Sequence, residues 1–237
     1  MIPLRDANPT RRTPIVTRLV IVLCVVAFAW ELGIQSNSGD TALNAFIVRY
    51  GVVPAELSAA LARFDLVSEP VLDVVTSMFL HGGWLHLLGN LLYLWIFGNN
   101  VEDRLGHPAF VAFYLVGGFA AALAQVAIDP ESTVPMIGAS GAISATLGAY
   151  LVFFPGARVL SLVFLGFFYQ LIPVPAIVVL GLWFVLQLVD GLGSLGVGGA
   201  TGGVAFFAHI GGFVAGAVIA LIVGRGGRRQ PRSAWAR

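Results

Sequence analysis

Ser140 and His209 are the residues of this chain whose types and settings point most directly to chemistry. Ser140 stands in Gly138-Ala139-Ser140-Gly141-Ala142, flanked only by small residues, and His209 in the equally apolar Ala208-His209-Ile210-Gly211-Gly212. A histidine within hydrogen-bond reach of a serine hydroxyl can activate it as a nucleophile. Gly138 and Gly141 let backbone and substrate approach the serine closely. The pattern is not the G-x-S-x-G elbow, because position 142 is alanine. Ser144, one turn on along the same helix face, is the competing hydroxyl. The bland alternatives are a packing serine, ordinary in membrane helices, and a histidine that only satisfies a neighbour.

His86 and Asn90 are four residues apart, which puts both on one helical face. They could bond between helices, or donate hydrogen bonds to a developing oxyanion, which contributes about 3–4 kcal/mol per donor. A metal reading of His81 and His86 is poor. Five-residue spacing on a helix directs the two rings about 140° apart, and no cysteine or third ligand stands by. No cofactor and no metal is expected. Glu31, Asp129, Glu131 and Asp190 all fall at predicted helix ends. The spacing therefore fits a two-residue Ser-His pair better than a triad with an acid behind the histidine.

These residues need elements that hold them, and composition says what those are. The 237 residues are 58% hydrophobic and 11% charged, with a mean hydropathy of +0.90. Soluble domains carry about 25% charged residues, so this is an integral membrane protein. Ionisable groups inside apolar spans mark function by default. The single cysteine, Cys24, excludes an intrachain disulfide. All 13 basic residues are arginine, a composition that fits a bacterial source. Arg11, Arg12 and Arg18 before Leu19–Ala29 resemble a signal peptide, with Ala27-Phe28-Ala29 as an A-x-A site. The apolar run is nevertheless long enough to span, and five more follow, so it is retained as a helix.

A span needs about 20 apolar residues. The candidates are 15–34, 78–98, 108–128, 137–154, 174–190 and 204–224. The expected architecture is an all-α integral membrane bundle of six transmembrane helices over 15–224. A cytoplasmic segment (1–14) precedes it and a basic cytoplasmic tail (225–237) follows. A long polar-to-mixed loop covers 35–77, where Pro54 could open a short helix. Pro173 and Pro175 break the apolar stretch after Pro155-Gly156, leaving 159–172 as an interfacial segment. Gly191–Gly203 holds seven glycines and should be a mobile connector.

Nine of the arginines precede residue 19 or follow residue 224, and cytoplasmic flanks collect basic residues. Both termini are therefore expected inside, at the plasma membrane. Spans two, four and six then run from outside to inside. At 1.5 Å per residue, His86, Asn90, Ser140 and His209 fall within roughly 10 Å of depth. His209-x-x-Gly212-x-x-x-Gly216 carries a G-x-x-x-G pattern, and Gly141, Ala145 and Gly148 make a matching strip. Small residues so spaced let helix backbones touch. Packed strip to strip, they would bring Ser140 within hydrogen-bond reach of His209.

Three motifs in order, His81-Gly-Gly-Trp-Leu-His86-Leu-Leu-Gly-Asn90, Gly138-Ala-Ser140-Gly141 and Ala208-His209-x-x-Gly212-x-x-x-Gly216, resemble those of bacterial rhomboid proteases. The resemblance covers about residues 70–220. It implies Ser140 as nucleophile, His209 as general base, and His86, Asn90 and the Ser140 backbone amide as an oxyanion site. It also implies transmembrane protein substrates cut near their outer ends after small side chains. The first loop would embed laterally, with span five and the Gly191–Gly203 loop as gate and cap. Two positions depart from the family pattern. Leu72-Asp73 replaces a frequent Trp-Arg, so the loop is expected to be anchored otherwise, through Arg49 or Arg63. Ser144 replaces a frequent aromatic residue that packs on the histidine. The competing functions are a catalytically silent escort of membrane proteins, which would lack part of the pair, and a small transporter. A transporter predicts internal repeats or an intramembrane charge pair, and the chain shows neither.

Overall fold

Glu102 shows how this chain handles a polar group in an apolar setting. Its buried carboxylate accepts from the amides of Val16 and Thr17 at 2.8 Å each and from Thr17 Oγ1 at 2.6 Å. Those amides open the first helix, so the carboxylate satisfies donors that a helix start leaves unpaired. The computed structural model describes residues 1–166, 168–195 and 205–224. Among these, β1 is Ile2–Asp6, α1 Ile15–Tyr50, α2 Pro54–Ala62, α3 Glu69–Ser77 and α4 Trp84–Tyr93. A π-helical turn, Leu94–Gly98, leads into α5, Asn99–Leu105. Then come α6 His107–Ile128, α7 Ser140–Phe153, β2 Arg158–Leu165, β3 Phe168–Pro175, α8 Ala176–Leu195 and α9 Phe206–Val223.

Helices occupy all six expected positions, and the membrane class read from composition holds. Among the described residues four helices, α1, α6, α8 and α9, are long and apolar enough to cross a bilayer. Helix α7 has only 14 residues, every one from Ala142 to Tyr150 buried. It is the post around which the others pack.

Several boundaries differ from expectation. Helix α1 continues far past residue 34, through polar Gln35, Ser36 and Asn37, with a break at Gly39 (φ 79°, ψ 177°). Glu31 is thus inside a helix, not at its end, and its carboxylate accepts the His81 amide at 3.1 Å. The second apolar stretch becomes helical only at Trp84, because Gly83 (φ 147°) turns the chain there in a way L side chains rarely adopt. Pro54 opens α2 as expected. Most of the Gly191–Gly203 connector, and the tail 225–237, lie outside the described residues.

The segment 159–172, expected only as an interfacial stretch between spans, is a β-hairpin. Its β-branched and aromatic residues suit a strand. Pro173 and Pro175 fall on β3, an edge strand, where a missing amide costs least. Strand β2 pairs antiparallel with β3 (Leu160 opposite Pro173) and with β1 (Asp6 opposite Val159). Beside this sheet, Asp6 Oδ2 accepts Tyr150 OH at 2.9 Å and Asn100 Nδ2 at 2.8 Å, tying β1 to the foot of α7. Burial pushes the Asp6 carboxyl up to about 6 despite those bonds.

Candidate active site

The tip of α7 is fixed from behind. The Gly138 amide donates to Ser77 O at 2.8 Å, and Val52 and Met136 exchange backbone bonds of 3.0 and 2.7 Å. Gly138 adopts φ 121°, which delivers the chain into α7 with Ser140 as its first residue. Opposite, α9 carries His209 one turn from its start. The two helices touch backbone to backbone along the expected strip. A methyl on Gly148 would meet the Phe213 carbonyl, one on Gly212 the Gly141 carbonyl, and one on Gly216 the Ala145 carbonyl. This contact puts His209 Nε2 2.7 Å from Ser140 Oγ.

The other ring nitrogen is also engaged. His209 Nδ1 lies 2.7 Å from Gln187 Oε1 on α8. Trp183, one turn earlier on α8, has its ring 6.1 Å from the imidazole. The histidine is thus held from α8, not from position 144. Sequence reasoning missed Gln187; a glutamine four residues after Trp183 in an otherwise apolar helix was the available signal. Ser144 is buried and donates to the Ser140 carbonyl at 2.6 Å, so its hydroxyl is already committed.

His86 and Asn90 approach the same point from α4. The Gly82 amide donates to His86 Nδ1 at 3.2 Å, which leaves the ring proton on Nε2. That nitrogen would lie 2.6 Å from a Cβ at Gly138, and Asn90 Nδ2 3.5 Å from it. Glycine is required there both by φ and by these donors. Asn90 Nδ2 is buried without a partner among the described residues. A buried unpaired donor beside a serine can serve an oxyanion. Ser140 is the first residue of α7, where a helix start leaves amides without a partner in the helix. A cavity of about 700 Å³ joins α4, α7, α8 and α9, and His86, Asn90, Ser140, Trp183 and His209 all line it.

His81 behaves otherwise than expected. It precedes α4, so helical spacing does not separate it from His86, and the two rings meet edge to face at 5.2 Å. Among the described residues no group of three or more potential ligands could hold a metal ion.

Residues 68–226 match the family model described as a rhomboid domain. The chain belongs to the rhomboid family. It is 32% identical over 195 residues to the rhomboid protease GluP of Bacillus subtilis, covering 82% of this chain and 34% of that protein. Rhomboid protein 1, mitochondrial, of Saccharomyces cerevisiae is 28% identical over 174 residues, 72% of this chain and 46% of that one. The mouse presenilin-associated rhomboid-like protein, mitochondrial, is 32% identical over 145 residues, 57% and 37% respectively. The chain therefore spans about a third to a half of these relatives. Within this rhomboid, Leu72-Asp73 lies on α3, and the start of that helix is tied to the end of α1 by Arg49 Nη2–Glu69 Oε1 at 2.9 Å. Both side chains are exposed, so this pair adds under about 1 kcal/mol. Thr76 Oγ1 adds a 2.7 Å bond to the Tyr50 carbonyl.

Proposed function

We propose that this protein is an intramembrane serine endopeptidase. Ser140 would be the nucleophile and His209 the general base, with His86, Asn90 and the Ser140 amide receiving the oxyanion. The observation that carries this reading is the 2.7 Å contact between Ser140 Oγ and His209 Nε2 in an apolar setting. Isolated polar groups are costly there, and the two come from different helices.

In the reaction, Ser140 Oγ attacks the scissile carbonyl while its proton passes to His209 Nε2. The carbonyl oxygen gains negative charge, which the donors of α4 and the Ser140 amide face. Collapse expels the amine, which takes the proton from His209. Water then repeats the sequence on the acyl-enzyme. Water must therefore reach Ser140. At 1.5 Å per residue α7 is about 21 Å long, roughly 9 Å short of a 30 Å hydrocarbon core. The tip of so short a post would lie below the membrane surface, and Ser140 at that tip lines the cavity of about 700 Å³. Its substrates would be transmembrane segments, cut near the outer face, with both termini of the enzyme cytoplasmic. The arginine distribution supports that orientation.

A catalytically silent escort would need neither hydroxyl–imidazole contact nor an unpaired donor beside it, so the protease reading is favoured. The test is fluorophosphonate labelling and cleavage of a model transmembrane substrate in proteoliposomes. Ser140→Ala and His209→Ala should each abolish cleavage, and Ser144→Ala should retain it. Undiminished cleavage by the Ser140 variant would sink the assignment.

A further inference from the structure

We propose that Gln187 is a positioning residue that holds His209 in the tautomer able to accept a proton from Ser140; the proposal rests on the Ser140–His209 reading above. A neutral imidazole carries one proton on two nitrogens. If Nε2 is to accept from Ser140 Oγ, the proton must sit on Nδ1, and Nδ1–H then needs an acceptor. Gln187 Oε1, 2.7 Å away, is that acceptor. An Nδ1–H left without one would be an unpaired donor in an apolar bundle, which favours the other tautomer. That other tautomer points a proton at the serine and cannot act as base.

The helix that carries Gln187 does more than supply one oxygen. Trp183 and Gln187 are four residues apart, hence on one face of α8. Trp183 lies beside the imidazole, 6.1 Å between ring centroids at 39°, and its ring also lies 6.0 Å from that of Phe213. Gln187 therefore sets the edge of the histidine and Trp183 restrains its face. The amide orients without adding charge. A carboxylate at this place would orient equally well and would also stabilise the imidazolium. It would be costly in a span, whereas a neutral amide is tolerated.

The charged and titratable surroundings of His209 are sparse. Helix α4 contributes His86 and Tyr93, which line the same cavity. Helices α6, α7 and α9 contain no aspartate, glutamate, lysine or arginine. Helix α8 has only Asp190, exposed and three residues beyond Gln187. A new carboxylate at 187 would thus be the nearest anion to the base, and its effect on the pH profile can be read without interference.

The experiment measures kcat, KM and the rate of fluorophosphonate labelling against pH, on the full chain in proteoliposomes. Gln187→Met removes the acceptor at similar volume. It should lower kcat and the labelling rate ten- to a hundredfold, with KM within twofold of the parent. Gln187→Glu keeps the acceptor and adds charge. It should retain cleavage and move the acid limb of the kcat/KM profile upward by a pH unit or more, since a neighbouring carboxylate favours the protonated imidazole. A structural glutamine would lower thermal stability in both variants and shift neither profile. Parent-like rates in Gln187→Met, or an unmoved acid limb in Gln187→Glu, would overturn the proposal. A parent protein that is not labelled at Ser140 would overturn the dyad reading instead, so the two failures are distinguishable.

Discussion

A single methyl group two turns below the histidine should disable the proposed protease without touching its chemical groups. On Gly216 that methyl would lie 2.5 Å from the Ala145 carbonyl carbon and 2.6 Å from its Cα, and closer still to the carbonyl oxygen. Ordinary carbon contacts begin near 3.5 Å, so α9 must withdraw from α7 by roughly 1 Å. The obstacle is backbone on both sides, and no side chain can swing away. If α9 moves as a rigid rod, the Ser140–His209 contact lengthens from 2.7 Å to roughly 3.7 Å, beyond the range of a hydrogen bond. Misplacement by about 1 Å can cost a hundredfold in rate. Overpacking should cost about 1–3 kcal/mol of stability. Gly216→Ala is therefore expected to lose about a hundredfold in cleavage and Ser140 labelling while remaining folded. Gly181→Ala, on α8 with nothing within 4 Å of the added carbon, is the control and should be unaffected. Equal activity of Gly216→Ala and the parent would refute backbone contact as the device that sets the site.

Two further predictions concern the end of the bundle away from the site. Asp6 has its carboxyl raised by burial from 3.8 to about 6. A raised acid stabilises the fold fully below its unfolded value and loses that contribution as pH rises through the folded one. Between about pH 4 and 7 the parent should lose up to about 3 kcal/mol that Asp6→Asn, which keeps an oxygen for Tyr150, does not lose; denaturant midpoints across that range measure it. Burial opposes ionisation of Glu102, yet the bonds from Thr17, Val16 and His107 hold its carboxyl below the usual range. Its contribution is accordingly present at neutral pH and lost as pH falls. Glu102→Ala leaves two amides of the α1 start unpaired and should lower stability by about 2–4 kcal/mol, read as a lower melting temperature at pH 7.

The seam between α7 and α9 was legible because it follows helical spacing: Gly141, Ala145 and Gly148 against Gly212 and Gly216. The level shared by His86, Asn90, Ser140 and His209 followed from span order alone. What escaped was set by tertiary context. Gln187 stands out locally only as a polar residue in an apolar helix, and its meaning comes from a residue 22 positions later. Met78 to Gly83 read as helix by hydropathy, and only the backbone of Gly83 shows the interruption that frees His81. The hairpin at 158–175 is as apolar as its neighbours, and by sequence alone a proline that breaks a helix looks the same as one that marks an edge strand. Hydropathy ends α1 at the first polar residues and so puts Glu31 at a helix end, but an exposed helix readily accommodates such residues and continues.

The small sheet places a condition on how the chain threads the bilayer. Strand β1 hydrogen-bonds β2, so residues 2–6 and 158–165 must finish on one side of the membrane. The polypeptide between them therefore crosses an even number of times. Four passages, by α1, the α4–α5 rod, α6 and α7, satisfy that parity without counting a single arginine. Parity also sets an order in time, because strand β1 has no complete partner until residues 159–162 have been made.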